Sequence, residues 1–455
     1  MTDRNDFRGC RDAVRRRRGG AIVLLALVAL LFSLPAGAVD TAEEAYGAAA
    51  KFTVKIETTI SLPLHPGDEA SVSSGAGFIV DADRGWIVTN AHVASRSPAS
   101  IRIRLRGGGW MPAHRVYVDP YLDLAVIAPM ENGRLAPTTV ANLACGPVPP
   151  TGHAVGAFGH PWGLDFAGTR GIVAGDGEQY EAGALLTDAP INNGNSGGPL
   201  ISLSTGKVVG VNTSALEGKG IQNLSFAISA RFVCRILDLL RAGRDPSPTT
   251  RQIVYYADAD GTGRLKVARN FMPAGYLALR PGDVLTSIDG EPGRIGRESE
   301  FIHATRGRLL QVKLRVERDG REIDLAGKLP ASERIVGKKA LYASGVVFGR
   351  ARAFDATEVN YAKVATCHVE AGSLGASAGF ENCDAVETID GEPATDLEQV
   401  HLILEGAAKA KRPVAIGVKR LAGLKERSFF KYFELSLPVE DMRWVRVEDE
   451  PPGAK

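Results

Sequence analysis

Asn192-Asn193-Gly194-Asn195-Ser196-Gly197-Gly198-Pro199 is a glycine-rich loop running into the apolar strand Pro199-Leu200-Ile201. A serine hydroxyl is a poor nucleophile by itself and needs a neighbouring base. Two other positions supply what it lacks. His92 ends the apolar run Trp86-Ile87-Val88-Thr89-Asn90-Ala91, and Asp123 opens the run Leu124-Ala125-Val126-Ile127. All three lie where strands give way to loops, the places from which a rigid scaffold presents reactive groups. Their chain order, His-Asp-Ser, is one of the three known orders of the Ser-His-Asp triad. Ser196 is therefore the candidate nucleophile, His92 the base and Asp123 the orienting carboxylate. Two backbone N–H groups must point at one spot to hold a developing oxyanion. Glycine makes such a bend cheap, so the amides of Gly194 and Ser196, with Asn195 between them, form the candidate oxyanion hole.

The surrounding pattern is short β-branched strands separated by turns, from about Phe52 to Ile228. Ile101-Arg102-Ile103-Arg104-Leu105 alternates apolar and basic residues, as a half-solvated strand does. Arg106-Gly107-Gly108-Gly109 and Gly146-Pro147-Val148-Pro149-Pro150 are breaks. Many short strands at regular spacing imply a sandwich or barrel. Ala230–Ala242 reads as a helix with Phe232, Val233, Ile236, Leu239 and Leu240 on one side, and Arg244-Asp245-Pro246-Ser247-Pro248 reads as a linker.

These blocks resemble the HtrA (Deg) family of serine proteases. Gly75-Ala76-Gly77-Phe78-Ile79-Val80 and Trp86–Val93 are similar to its histidine block. Asp119-Pro120-Tyr121-Leu122-Asp123-Leu124 is similar to its aspartate block, and Thr187–Leu200 to its nucleophile block. Ala157-Phe158-Gly159-His160-Pro161-Trp162-Gly163 carries His160 where the family usually has Asn. Asn223–Ser229 carries Ser225 and Ser229 in place of Gly and Pro. The resemblance implies a mainly β fold, a chymotrypsin-like double β-barrel followed by two PDZ-like α+β domains. It implies endopeptidase activity on unfolded or misfolded envelope proteins and a homotrimer or higher homo-oligomer built through the N-terminal segment. Ile191, Asn212, Thr213, Phe226 and Ala227 are the expected pocket residues. Small or medium aliphatic P1 side chains are expected, since no acidic residue awaits a basic one. His160 is the rival base, but its Gly-His-Pro-Trp setting reads as a turn. Asp188 reads as a loop-fixing carboxylate.

Downstream the chain repeats itself. Pro281-Gly282-Asp283-Val284-Leu285-Thr286-Ser287-Ile288-Asp289-Gly290-Glu291-Pro292 returns, at an offset of 101, as Asn382-Cys383-Asp384-Ala385-Val386-Glu387-Thr388-Ile389-Asp390-Gly391-Glu392-Pro393. Two copies of about this length are tandem domains rather than a solenoid. Each resembles a PDZ domain, a module that adds an extended peptide to a sheet edge and captures its C-terminal carboxylate. In the second copy Gly345, Val346 and Val347 are the expected peptide-binding loop. The first copy shows no clear equivalent near Gln252–Tyr256.

At 455 residues the chain calls for two to four domains. Arg15-Arg16-Arg17-Arg18, an apolar run from Ala21 to Leu34 and Ala36-Gly37-Ala38 read as a cleavable signal peptide; an uncleaved anchor facing the periplasm is the alternative. The expected divisions are 1–38 signal peptide, 39–245 protease, 250–332 and 336–440 PDZ-like modules, and 441–455 a flexible tail. Beyond residue 38 the chain holds 47 basic and 49 acidic residues, a balance that gives nucleic acid no basic footprint. No Cys/His spacing suggests a metal, and no cofactor is expected. The four cysteines beyond the leader, Cys145, Cys234, Cys367 and Cys383, allow three pairings that sequence alone does not choose among; Cys367 with Cys383 is the first choice for a disulfide, since they are close in one module. The alternatives are a peptide-binding chaperone with an idle catalytic centre, or a narrow protease with one envelope substrate.

Overall fold

The computed structural model describes residues 41–447 except 65–67, 131–134, 136–138, 179–181, 216–223, 257–262, 290, 293–294, 351–362 and 425–426. The leader expected at 1–38 lies outside the described residues, as does the tail beyond Val447.

Helix α1 (Thr41–Phe52) leads into β1 (Thr53–Ile60), β2 (Ser71–Asp81) and β3 (Trp86–Thr89), then the short α2 (Ala91–Ala94). β4 (Ala99–Leu105), β5 (Trp110–Val118) and β6 (Ala125–Pro129) follow, and the six strands close a barrel in the order β1-β2-β3-β6-β5-β4. In β4 the alternation works as read. Ile101 and Ile103 are buried, while Arg102 and Arg104 lie outside over the Trp110 ring. β7 (Ala154–Gly159), β8 (Ala167–Asp176), β9 (Ala184–Thr187), β10 (Pro199–Ser202), β11 (Val208–Ala215) and β12 (Ser225–Ser229) close a second barrel, β10-β11-β12-β9-β8-β7. This is the double barrel expected of a chymotrypsin-like protease. α1 lies against the second barrel, where Tyr46 meets Phe158 edge-on at 4.5 Å between ring centres and donates to Thr169 O.

α3 (Ala230–Arg241) buries Phe232, Val233, Ile236, Leu237 and Leu239. Its Cys234 is disulfide-bonded to Cys145. The expected Cys367–Cys383 pair is not formed. Cys367 sits over Gly349 of the neighbouring strand, where a Cβ would collide with its sulfur, and it packs toward the barrels. Cys383 is exposed in a turn, with its N–H donated to Thr366 O. The Cys145–Cys234 bond closes an 89-residue separation, which chain entropy values at about 4–5 kcal/mol. Removing both by Ser substitution should lower unfolding free energy by about that amount in a denaturant titration. A non-reduced peptide map that joins Cys367 to Cys383 would overturn the assignment.

Beyond α3 come β13 (Ile253–Tyr255) and β14 (Val267–Asn270), a two-stranded pair. β15 (Val284–Ile288), β16 (Glu291–Pro292), α4 (Glu298–Thr305), β17 (Val312–Arg318) and β18 (Arg321–Gly327) follow, with sheet order β16-β15-β17-β18. The second copy holds β19 (Lys339–Ala343), β20 (Val346–Arg350), β21 (Val364–Val369), α5 (Leu374–Ser377), β22 (Ala385–Ile389), β23 (Glu392–Pro393), α6 (Leu397–Lys409), β24 (Val414–Leu424), β25 (Arg427–Leu437) and β26 (Arg443–Arg446). The repeat seen in sequence is a repeat of ion pairs. Asp283 is fully buried against Arg318, and Asp384 against Arg420, each at 2.6 Å.

Two expectations for this half change. The segment read as a flexible tail from 441 forms β26, which pairs with β19. Val445 and Val447 are buried, and Val447 O accepts from Arg115 Nη1 of the first barrel at 2.6 Å. The Arg-Trp-Val-Arg-Val alternation before the Pro-rich end is the strand signal. The expected peptide loop Gly345-Val346-Val347 is interior. Val346 and Val347 have no exposed surface, and β20 is paired on both edges, to β19 and β21. Gly345 O accepts from Glu370 N and Ser344 O from Gly375 N. A peptide has no strand edge to join at that loop.

Candidate active site

The three triad candidates come together where the barrels meet. β3 ends at Thr89, whose hydroxyl donates to Ala76 O of β2 at 2.7 Å. Extended backbone at Asn90 then starts the single turn α2, which carries His92. Asp123 arrives from the opposite side, just before β6. Its Oδ2 lies 2.6 Å from His92 Nδ1, and its Oδ1 accepts from the His92 backbone N–H at 2.9 Å. Asn90 Nδ2 donates to Asp123 O at 2.8 Å. A carboxylate so placed selects the tautomer with the proton on Nδ1 and leaves Nε2 as the base. Burial by itself would raise the Asp123 carboxyl. The bonds from the His92 ring and backbone, with the Arg96 guanidinium, outweigh it and hold the group down at about 2.

The Ser196 loop is tied to both barrels. Ser196 O accepts from Ala76 N at 2.8 Å, Gly197 N donates to Asn212 O, and Asn212 N donates to Gly198 O. Gly194 has φ +103°, and a side chain there would collide with the His160 carbonyl. Gly197 has φ +82° and is closed in by Ala76 O and Thr89 Oγ1. His160 N donates to Gly194 O at 3.0 Å, which fixes the peptide plane from the carbonyl side. Among the described residues neither the Gly194 nor the Ser196 N–H is spent on an internal acceptor, the condition a waiting oxyanion hole must meet. Asn195 between them is buried, with both side-chain polar atoms unpartnered among the described residues.

The Ser196 hydroxyl donates its proton to Thr213 O at 2.7 Å rather than to His92. Thr213 does a second thing: its Oγ1 donates to Asp123 Oδ2 at 2.9 Å. Sequence reading placed Thr213 in the substrate pocket and missed this contact; position just past Asn212 on a strand facing Asp123 is a tertiary fact. Removing the donor by Thr213→Val should lower kcat about tenfold, the worth of one charge-assisted hydrogen bond; steady-state kinetics at saturating substrate reads it.

The other pocket expectations divide. Asn212 is fully buried, its Nδ2 donating to Phe158 O and Pro199 O, so it braces the barrel. Ala227 has no exposed surface, and Ile191 joins it in the core of the second barrel. Phe226 is buried close to Gly177. Ile191 and Ala227 fill the barrel core instead of lining an open pocket, while Phe226, next to Ala227 on β12, faces the other way. Asp188 accepts from Ile172 N at 2.6 Å and fixes its loop.

His160 is no base for Ser196. Its Nδ1 accepts from Phe166 N at 3.1 Å, and burial, reinforced by the Lys55 ammonium, pushes its pKa down to about 4. His303 on α4 stands edge-on to Phe232, and burial near Arg306, Arg231 and Arg235 pushes it down to about 3. Both histidines are neutral when folded, whereas the unfolded chain protonates them below about 6.5. The unfolded state then binds more protons, so stability is full above that pH and falls as acid is added. Each should cost about 2 kcal/mol between pH 7 and pH 5. Thermal melts across that range should show a falling Tm, and a flat Tm would contradict the burial of both rings.

Arg306 links the downstream half to this site. It follows α4, is 1% exposed, and meets the fully buried Asp119 Oδ2 at 2.7 Å. Its Nη1 also donates to Pro246 O at 2.6 Å, so of the segment read as a linker, Pro246-Ser247-Pro248 is buried against it while Arg244 and Asp245 stay exposed. Asp119 Oδ1 accepts from Tyr121 N and Leu122 N, and Asp119 N donates to Leu124 O. This closed turn is the one that presents Asp123.

Residues 75–211 match the family model described as trypsin-like peptidase domain. A probable periplasmic serine endoprotease, DegP-like, of Chlamydia pneumoniae is 28% identical over 354 residues, 73% of this chain and 71% of that protein. A protein of the same description from Hahella chejuensis is 33% identical over 293 residues, 59% of this chain and 60% of that one. In structure, the HtrA-type protease AlgW with tripeptide superposes with a TM-score of 0.51 at 24% identity, covering 64% of this chain and 97% of that one; this likeness concerns the fold.

Proposed function

Since the chain belongs to the HtrA (Deg) family of serine endopeptidases, we propose that it hydrolyses peptide bonds in unfolded or misfolded proteins of the cell envelope through His92, Asp123 and Ser196. The observation that carries the assignment is the paired contact of Asp123 with the ring and the backbone of His92. Ser196 Oγ first exchanges Thr213 O for His92 Nε2. It then attacks the substrate carbonyl while His92 takes its proton. Asp123 stabilises the imidazolium, and the Gly194 and Ser196 amides hold the oxyanion. His92 returns the proton to the leaving amine, and water hydrolyses the acyl-enzyme. The downstream modules act here by holding the Asp119–Asp123 turn. By family resemblance the chain works in the periplasm as a homotrimer, which light scattering tests.

The bond from Ser196 to Thr213 favours a second reading, a centre idle until substrate or a peptide draws the hydroxyl away. A fluorophosphonate probe separates the two. Labelling of Ser196 with concurrent digestion of unfolded casein supports the active reading. Labelling only after C-terminal peptides are added supports the idle one, and no labelling under either condition sinks the nucleophile assignment.

A further inference from the structure

β24 and β25 run on past the sheet that carries them. β22 meets β24 only from Ile389↔Ile416 to Ala385↔Lys419. β24 and β25 stay paired out to Leu424↔Arg427. Beyond Lys419 the hairpin is a two-stranded ribbon with no third strand beside it among the described residues, and β25 is also the edge of its sheet. Such a ribbon is marginal in water by itself. This one carries large apolar side chains in the open: Leu421 is 63% exposed, Phe429 53%, Phe430 44% and Tyr432 69%. The register puts Leu421 beside Phe430 and Tyr432 beside Lys419 on one face, with Phe429 and Phe433 on the other.

The chemistry around them selects the occupant. Among the described residues around these rings stand Lys419, Arg420 and Lys431, in a chain otherwise close to neutral. Arg420 is engaged by Asp384 and Glu381. The Lys419 ammonium sits 4.1 Å from the centre of the Phe430 ring, and the Lys431 ammonium 5.7 Å from that of Phe429. A folded partner covers one face of a ribbon, whereas a bilayer interface surrounds both. A second copy docking ribbon to ribbon would bring Lys419 and Lys431 against their like. Aromatic rings interleaved with lysines suit the headgroup layer, where the rings sit at the acyl boundary and the ammonium groups meet phosphate. We infer that the β24–β25 ribbon docks the protein on an anionic phospholipid surface.

Flotation of the chain from Val39 onward tests this. The apolar run before it would bind lipid by itself, and every described element begins after it. The chain should float with phosphatidylcholine–phosphatidylglycerol vesicles, stay behind with pure phosphatidylcholine, and lose binding as salt is raised. Phe430→Ser with Tyr432→Ser, and separately Lys419→Glu with Lys431→Glu, should each weaken binding about tenfold or more, with the melting curve unchanged. Failure of the unaltered chain to float with anionic vesicles would overturn the proposal without any variant. So would undiminished flotation of both variants, or a loss of self-association in the variants when no vesicle is present.

Discussion

Ser196→Ala abolishes turnover of unfolded casein, with kcat lower by about 10⁶, the loss seen when a triad serine is removed from an otherwise intact site. The size follows from the division of labour. The oxyanion hole and substrate binding still provide about three to four decades over water, and everything above that depends on one oxygen being deprotonated as it attacks. Alanine keeps the loop, because Ser196 holds its neighbours through backbone atoms: its carbonyl accepts from Ala76 N, and its N–H is not engaged internally among the described residues. The variant should therefore fold with an unchanged melting temperature and bind substrate normally. Only the Oγ bond to Thr213 O disappears. A clean variant that retains more than about a thousandth of kcat would remove Ser196 from the mechanism.

Arg306→Met lowers stability by about 3–5 kcal/mol, far more than one lost surface ion pair. Methionine fills the same space, but it leaves the Asp119 carboxylate fully buried without its cation. The pair itself is expensive to bury, since Nε and Nη2 of Arg306 have no partner among the described residues. Much of the loss is thus the cost of stranding Asp119. Adding Asp119→Asn should recover more than half of it: the amide keeps an Oδ1 acceptor for Tyr121 N and Leu122 N while removing the charge. Activity should follow. Loosening the turn that presents Asp123 should reduce kcat by up to about 100-fold, the scale of a small misplacement near the chemistry, and the double variant should regain part of it. Denaturant titration and casein kinetics on the single and double variants measure both effects. Equal stability of Arg306→Met and the unaltered chain would show that the downstream half does not brace the site.

Much of the site was legible because its chemistry is local. Gly194 and Gly197 stand where positive φ and close backbone approach exclude any side chain, and such positions leave glycines in the sequence whatever surrounds them. The repeated Asp-Gly strand ends were legible for the same reason. What escaped were contacts between segments far apart in the chain. Thr213 reaches Asp123 across 90 residues and Arg306 reaches Tyr117 across 189. Neither residue has a neighbour in sequence that announces its partner. Cys367 and Cys383 looked paired because they are close along the chain, yet Cys367 lies on β21 over Gly349 while Cys383 is exposed in the turn before β22, and the partner of Cys145 was on a helix 89 residues away.

By itself the sequence determined the residue types of the candidate triad and their order, the glycine-dependent loop, a β-rich half built as a sandwich or barrel, and the doubled downstream stretch. Each follows from the periodicity and backbone freedom of a few adjacent residues. Tertiary structure alone decided where the disulfide lies, that Gly345–Val347 is interior, that the last strand returns to the first barrel, and that a buried arginine from the downstream half closes the turn beside the site. Those depend on which surfaces meet, and the energy of burying a charge or a strand edge belongs to the pair of surfaces rather than to either segment.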